Sequence, residues 1–502
     1  MNEADTAPDA AAADAPAGVR PARTLRDIAD LPGPRGWPLV GNLPQVEKSR
    51  LHAQVEDWAR RHGPLFRIRL GSRPMLVVAD HALMAGVLRD RPEGFRRTPL
   101  MERISREMGL AGGVFGAEGE RWRRQRRMVM AGFDPRHLRA YFPSLVKVAT
   151  RLETRWLRAA RAGTTIDLQA DLMRFTVDAI SGLAFGSDIN TLDSDDDVIQ
   201  RHLDKIFPAL FNRMLSPLPL WRWWKRAADR ELERSVQAVT EAIDGFIAAA
   251  RRRLADEPAR RGAPVNLLEA MIVAADDEQS GITDVEVAGN VMTMLLAGED
   301  TTANTLAWMI WLLFTHPECL RRARCEVDEH ADPSGGWTPE RIAALAYVEA
   351  CAHETMRLKP VAPSLVLQAL RDTTIGDVRV LKGTLVWGAL RSDSLDDRHF
   401  PDANRFDPEH WLRDDPSRSA GAASRIAMPF GAGPRVCPGR QLALLEIKMA
   451  MATLLSRFDL EQVTTDDGGE PAEQLSFTMA PQGLRMRLRE RARTAAPLDP
   501  IA

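Results

Sequence analysis

Apolar and polar residues change rhythm several times along the chain, and each rhythm predicts an element. Phe66-Arg67-Ile68-Arg69-Leu70 alternates, Gly71-Ser72 offers a turn, and Met75-Leu76-Val77-Val78 resumes. That pattern predicts a β-hairpin. From Glu118 to about Arg357 apolar residues recur at helical spacing, with short Pro and Gly breaks. A second β-rich patch is expected around Leu365 to Leu390, turning at Gly376-Asp377 and Lys382-Gly383. A helix then runs from about Pro438 to Arg457, and short strands close the chain. No internal repeat or clear linker divides this order. The expected fold class is α+β and mostly α: one large helical domain over residues 31–502, with small segregated β-sheets.

The longest predicted helix carries its own boundary signals. Thr283-Asp284-Val285-Glu286 is a capping box, and Pro317 marks the end. About 33 residues lie between them, roughly 50 Å of helix, enough to cross a whole domain. It is apolar on most sides, so it should be buried. Ala297-Gly298-Glu299-Asp300-Thr301-Thr302 interrupts its middle. A glycine inside a helix costs about 1 kcal/mol, and buried acids need partners. Such a patch marks either a functional site or a solvated face, and the residues alone leave both open. The adjacent acids also argue against a membrane span.

Composition narrows the function classes. The net charge of −2 among 502 residues excludes the basic balance of a nucleic-acid binder. The four cysteines (Cys319, Cys325, Cys351 and Cys437) show no zinc-type spacing and no secreted-type density, which points to a reducing, cytoplasmic setting. Residues 1–30 begin with an Ala/Asp/Pro-rich stretch without a signal-peptide pattern, and are expected to be a disordered leader. The Pro/Gly run Leu31–Pro38 follows.

One cysteine has an unusual setting, Phe430-Gly431-Ala432-Gly433-Pro434-Arg435-Val436-Cys437-Pro438-Gly439. Three glycines and two prolines make a rigid loop whose backbone can approach a flat ligand. Pro438 suits the first position of the following helix. Cys437 would then lie beside a helix N-terminus, where free N–H groups favour an anionic sulfur. The plainer reading of an isolated cysteine is a buried structural thiol.

The loop fits FxxGxRxCxG at every fixed position and resembles the haem-binding signature of the cytochrome P450 family. The resemblance implies haem b (iron protoporphyrin IX) with Cys437 as the axial thiolate metal ligand. It also implies Phe430 near the sulfur, Arg435 on a propionate, and Gly433 and Gly439 shaping the loop. Ala297-Gly298-x-Asp300-Thr301-Thr302 is similar to the family's oxygen-activation motif. By that likeness Ala297 and Gly298 border the cofactor, Gly298 leaves room for a local widening of the helix, Thr301 supplies a hydroxyl, and Asp300 relays protons from solvent. Glu299 is left as a residue facing solvent. Trp122 and Arg126 resemble the WxxxR pair that contacts propionates. Glu354 and Arg357 resemble the structural ExxR pair, with His410 where the family's third member is arginine. Leu367 stands where many relatives carry a basic propionate ligand. Ala362, Pro363, Leu365, Phe477 and Thr478 are expected to line a largely apolar substrate pocket.

The implied reaction is insertion of one atom of O2 into a hydrophobic small molecule. Electrons would come from NAD(P)H through a separate ferredoxin or flavodoxin and its reductase, to a soluble, monomeric protein with no membrane span. Five arginines between Arg121 and Arg127 form a solvated face or a docking patch for such a partner. Trp221, Trp223 and Trp224 fall in the family's access lid, and packing between helices is the favoured reading, against contact with a membrane surface. The rivals are a haem-thiolate isomerase, dehydratase or peroxygenase, and a non-enzymatic haem sensor.

Overall fold

The computed structural model describes residues 25–71, 73–110, 112–194, 198–332, 336–412 and 420–492. The expected disordered leader ends earlier than residue 30. Arg26–Asp27 pairs in parallel with Val378–Val380, Ile28–Asp30 forms a 3-10 turn, and Leu31 is buried; residues 1–24 lie outside the described part.

Eight helices position the site: α1 (His81–Arg89), α2 (Gly119–Gly132), α3 (Pro135–Ala162), α4 (Leu168–Phe185), α5 (Val198–Met214), α6 (Asp284–Thr315), α7 (Ala346–Leu358) and α8 (Arg440–Arg457). The predicted long helix is α6. Its capping box is formed: the Thr283 hydroxyl accepts from Glu286 N–H at 3.3 Å and the Glu286 carboxylate accepts from Thr283 N–H at 3.2 Å. Thr302 to Ile310 is buried without a break, which covers every side of the helix, so α6 runs through the core and not across its surface. It packs along α4, where Gly298 matters: a Cβ there would come within 3.2 Å of Ile180. The expected widening of the helix at Gly298 is absent, since α6 is continuous and the missing side chain admits α4 instead. Among the described residues no helix is long and apolar enough to cross a membrane.

Five strands make the largest sheet: β1 (Leu65–Leu70), β2 (Arg73–Val78), β3 (Phe95–Arg97), β4 (Ser364–Ala369) and β5 (Leu385–Ala389), in the order β1-β2-β5-β4-β3. The predicted hairpin is β1–β2, and the predicted β-rich patch supplies β4 and β5. The register sets Arg97 opposite Leu367, whose side chain is fully buried. Small separate sheets take Thr373–Ile375 with Val378–Val380, and Phe458–Thr464 with Arg485–Glu490.

Between β5 and α8 the chain has little regular structure, and one buried ion pair organises it. Glu354 and Arg357 are both fully buried and joined at 2.7 and 2.8 Å. Arg357 also donates to the carbonyls of Ser394, Ala403 and Arg405. Glu354 in turn accepts from Asp407 N–H at 3.0 Å, Trp411 Nε1 at 2.9 Å and His410 Nδ1 at 3.2 Å. Histidine therefore fills the place of the expected arginine, with tryptophan as a second donor. Arg357→Leu should destabilise the protein by about 3–5 kcal/mol in chemical denaturation, because a buried carboxylate loses its counter-charge. The Glu354→Leu/Arg357→Leu double variant should recover only part of that loss, since three backbone carbonyls stay without their donor.

Candidate active site

The cysteine loop folds back on itself, with Cys437 N–H donating to the Phe430 carbonyl at 2.9 Å. Gly433 sits at φ 70°, and a Cβ there would lie 2.5 Å from the Leu88 carbonyl, so the loop can dock on the end of α1 only with glycine. The helix begins two residues later than the Pro438 start expected: Gly439 is the N-cap and Arg440 the first residue of α8. The sulfur still lies at the helix entrance and accepts from the N–H groups of Gly439 and Arg440. Burial raises the thiol pKa above its usual value, and Gly439 N–H, the Arg126 guanidinium and Arg440 N–H pull it back. Cys437 is nevertheless exposed. Enclosed by protein yet accessible, the sulfur is placed to bind a ligand from one side. The Phe430 ring lies edge-on to His353 and beneath Arg440.

Beside this loop, positive charge exceeds negative. Arg435 donates to the Glu118 carboxylate and the Ala117 carbonyl, each at 2.6 Å, and stacks 4.7 Å over Trp122. Arg91 reaches the same carboxylate only at 3.8 Å. Arg97 donates to the Phe115 carbonyl at 2.7 Å and covers the Phe115 ring at 3.6 Å. Glu118 is the one carboxylate these three guanidiniums share among the described residues, which leaves two positive charges in excess. Burial, then repulsion from Arg91 and Arg435, pushes the Arg97 pKa down to about 9; burial and Arg435 bring Arg91 to about 10. Arg91 Nε and Nη2 and Arg435 Nε are buried without a hydrogen-bond partner. Such a cluster is unfavourable by itself and fits a bound group with two carboxylates, as a haem has. Arg126 stands nearer the sulfur and donates to the Val436 carbonyl at 2.8 Å. Sequence reasoning missed Arg91 and Arg97. The signal was available only through the β3–β4 register, which puts Arg97 across from Leu367.

The middle of α6 carries the other half of the site. Ala297 is exposed although Leu295, Leu296 and Glu299 around it are buried, so an opening reaches the helix there. Thr301 Oγ1 donates to the Ala297 carbonyl at 2.7 Å. Glu299 and Asp300 do not form a solvated face: Glu299 is buried and Asp300 half-buried. Asp300 accepts from Asn304 Nδ2 at 2.6 Å and from the Thr478 hydroxyl. Burial raises its pKa, and these two donors moderate the rise. On the opposite side of α6, Thr302 is hydrogen-bonded to Glu446 of α8, whose pKa burial pushes up to about 8.

Of the expected pocket residues, Phe477 and Thr478 join the acid. Phe477 stacks on Phe207 of α5 with centroids 4.5 Å apart and meets Phe115 edge-on at 6.2 Å. Phe115 and Phe207 escaped the sequence reading, since isolated aromatics carry no spacing signal. Met479 N–H donates to Val361, bringing exposed Ala362 alongside. Pro363 is buried with its carbonyl taken by Leu390, and Leu365 packs into the cluster beneath β4. Of the arginine run, Arg121 pairs with Glu286 and Arg123 with Glu93 and Glu120, while Arg127 is exposed. Trp221 packs as expected, bonded to Glu107, but Trp223 and Trp224 are 70% and 76% exposed. Packing between helices therefore fails for those two.

The Cytochrome P450 family profile matches residues 31–488. Lutein Deficient 5, a chloroplastic protein of Arabidopsis thaliana, is 26% identical over 91% of this chain and 77% of its own length. Carotene epsilon-monooxygenase of the same plant is 27% identical, covering 93% and 84%. A self-sufficient cytochrome P450 monooxygenase of Oidiodendron maius is 28% identical over 92% of this chain, which spans only 42% of that protein. The crystal structure of the cytochrome P450DA heme domain superposes with a TM-score of 0.79 at 26% identity, over 94% of this chain and 99% of that one. Profile, relatives and fold agree with the site's geometry, and the chain belongs to the cytochrome P450 family.

Proposed function

We propose that this protein is a haem-thiolate monooxygenase, binding haem b between Cys437 and the Ala297–Thr301 stretch of α6. The observation that carries the reading is the accessible Cys437 sulfur, backed by two N–H donors and flanked by two uncompensated positive charges. Cys437 would ligate the iron; Arg91, Arg97 and Arg435, with Trp122 beneath Arg435, would hold the propionates. Arg126 would balance the thiolate. When bound, the haem supplies the activation of O2 and the insertion of one oxygen atom into a C–H or C=C bond.

The remaining chemistry belongs to side chains. Each turnover needs two protons at the reacting oxygen, because the second oxygen atom leaves as water. Thr301 has its own proton directed to the Ala297 carbonyl and its lone pairs outward, so it would accept a proton at a lone pair and pass one on by turning its own proton away from that carbonyl. Asp300 has both oxygens engaged, by Asn304 and Thr478, and is a proton carrier that must release Thr478 before it turns toward Thr301. Thr478 is thus a positioning residue. Phe115, Phe207 and Phe477 offer aromatic faces, which suits a hydrophobic substrate. Electrons from NAD(P)H would arrive through a ferredoxin or flavodoxin, drawn by Arg127 and Arg440 on the cysteine side. Cys319, Cys325 and Cys351, none of them in a disulfide, suit a reducing, cytoplasmic setting. A peroxygenase or isomerase has no use for the Asp300–Thr301 pair, and a sensor has none for the aromatic chamber.

The dithionite-reduced protein under carbon monoxide should show a strongly red-shifted Soret band that Cys437→Ser abolishes; a band at the position of histidine-ligated haem in the wild type removes the assignment. Arg97→Leu should weaken haem retention against an acceptor such as apomyoglobin by about 1.5–3 kcal/mol, the worth of a hydrogen bond to a charged group. An unchanged loss rate would take Arg97 out of the propionate set. Asp300→Asn should slow turnover on the order of 10²-fold and raise the solvent isotope effect. Thr301→Ala should keep consuming NAD(P)H while product falls and peroxide rises. Unaltered coupling in both variants would sink the proton relay.

A further inference from the structure

A second set of ligand-type side chains lies where α1 begins, away from the cysteine sulfur. His81 is the first residue of α1, Asp393 opens the 3-10 turn Asp393–Leu395 after β5, and His399 follows on the next bend. Asp393 Oδ2 accepts from His81 N–H at 2.7 Å and lies 2.7 Å from His81 Nδ1. His399 Nε2 stands 3.9 Å from that same oxygen. One nitrogen of each imidazole and a carboxylate oxygen fall within 4.8 Å of one another. The two rings meet edge to face with centroids 4.9 Å apart.

A shared proton accounts for His81 and Asp393 but not for His399. At 3.9 Å no hydrogen bond holds it there, and two protonated imidazoles this close would repel. An ion placed among the three atoms explains the whole arrangement. We propose that His81, Asp393 and His399 form a binding site for a divalent cation of the zinc type, separate from the haem. Two imidazole nitrogens and one carboxylate oxygen are a donor set that zinc accepts, with water completing a tetrahedron. Calcium and magnesium want oxygen ligands throughout. A tetrahedral zinc ion holds its ligand atoms about 3.4 Å apart, so His81 Nδ1 would draw back from the Asp393 oxygen, now 2.7 Å away, while His399 closes on partners that now spread to as much as 4.8 Å. The three side chains are 21%, 11% and 27% exposed, partly desolvated yet open to an entering ion.

The surroundings favour a cation. Asp80, Asp393 and Asp396 all face one guanidinium, Arg398, which is hydrogen-bonded to Asp396 and 78% exposed, so three carboxylates share a single, solvent-screened positive charge. The position also matters. Asp393 and His81 are 312 residues apart in sequence, so the ion would cross-link distant segments. The next residue, Ser394, lends its carbonyl to Arg357. The far end of α1, about 11 Å away, carries the Leu88 carbonyl that packs on Gly433 of the cysteine loop. The ion would thus clamp α1 between the ion-pair segment and the haem-ligand loop.

The test uses the haem-loaded, untagged full chain, stripped with EDTA and titrated with zinc chloride by calorimetry, beside His399→Ala. His399 makes no hydrogen bond to the cluster, so its loss should leave the fold and Soret spectrum unchanged. One zinc per chain is expected, bound at least about ten-fold more weakly by the variant, with zinc raising the melting temperature of the wild type alone. His81→Ala should lose the site as well. Equal zinc binding by wild type and His399→Ala overturns the proposal, as does a wild type with no site tighter than millimolar. Equal stabilisation by magnesium or calcium overturns its zinc-type chemistry.

Discussion

Arg357 and Glu354 hold together a part of the chain that has almost no secondary structure of its own. From Ser394 to Trp411 the backbone makes few ladder bonds, and its carbonyls and N–H groups close instead on one guanidinium and one carboxylate. The pair is not a surface decoration whose energy salt would screen. Each charge is fully buried, so each must be satisfied at every oxygen and nitrogen, and the bends of the segment are what satisfy them. Trp411 then stacks on His353, and His353 meets the Phe430 ring, so order at the ion pair extends to the start of the cysteine loop.

On the other flank of that loop the design is reversed. Around Glu118 the protein gathers guanidiniums without providing their counter-charges, and the burial of Arg91 and Arg97 makes the imbalance expensive. A fold tolerates such a cluster where a ligand brings the missing charge. The two flanks therefore divide the labour: one is complete in the protein alone, and the other is completed by what it binds.

Much of this was legible in the residues, for identifiable reasons. Period-2 alternation in β1 and β2, the capping box of α6 and the glycine spacing around Cys437 are local patterns, and each produced the expected element. Gly433 could be singled out by its place in the cysteine-loop signature, and its φ of 70° with the close approach to Leu88 gives the physical reason for a glycine there. What escaped depends on pairings between segments far apart in sequence. Arg97 acquires its role from lying across a strand from Leu367, 270 residues later in the chain. Gly298 serves the packing of α4, and its neighbours Glu299 and Asp300 are enclosed by elements the local sequence does not name. The exposure of Trp223 and Trp224 was equally invisible, because composition does not say which side of a loop a ring will take.

The tie between Thr478 and Asp300 has a consequence for timing. Phe477 precedes Thr478, holds a left-handed φ of 97° unusual for its residue type, and rests against Phe207. The ring that rests on Phe207 and the hydroxyl that holds Asp300 thus sit on adjacent residues, so under the proposed function a substrate that shifted the ring would also loosen the hold on the acid. Proton supply would then be tied to occupancy of the site.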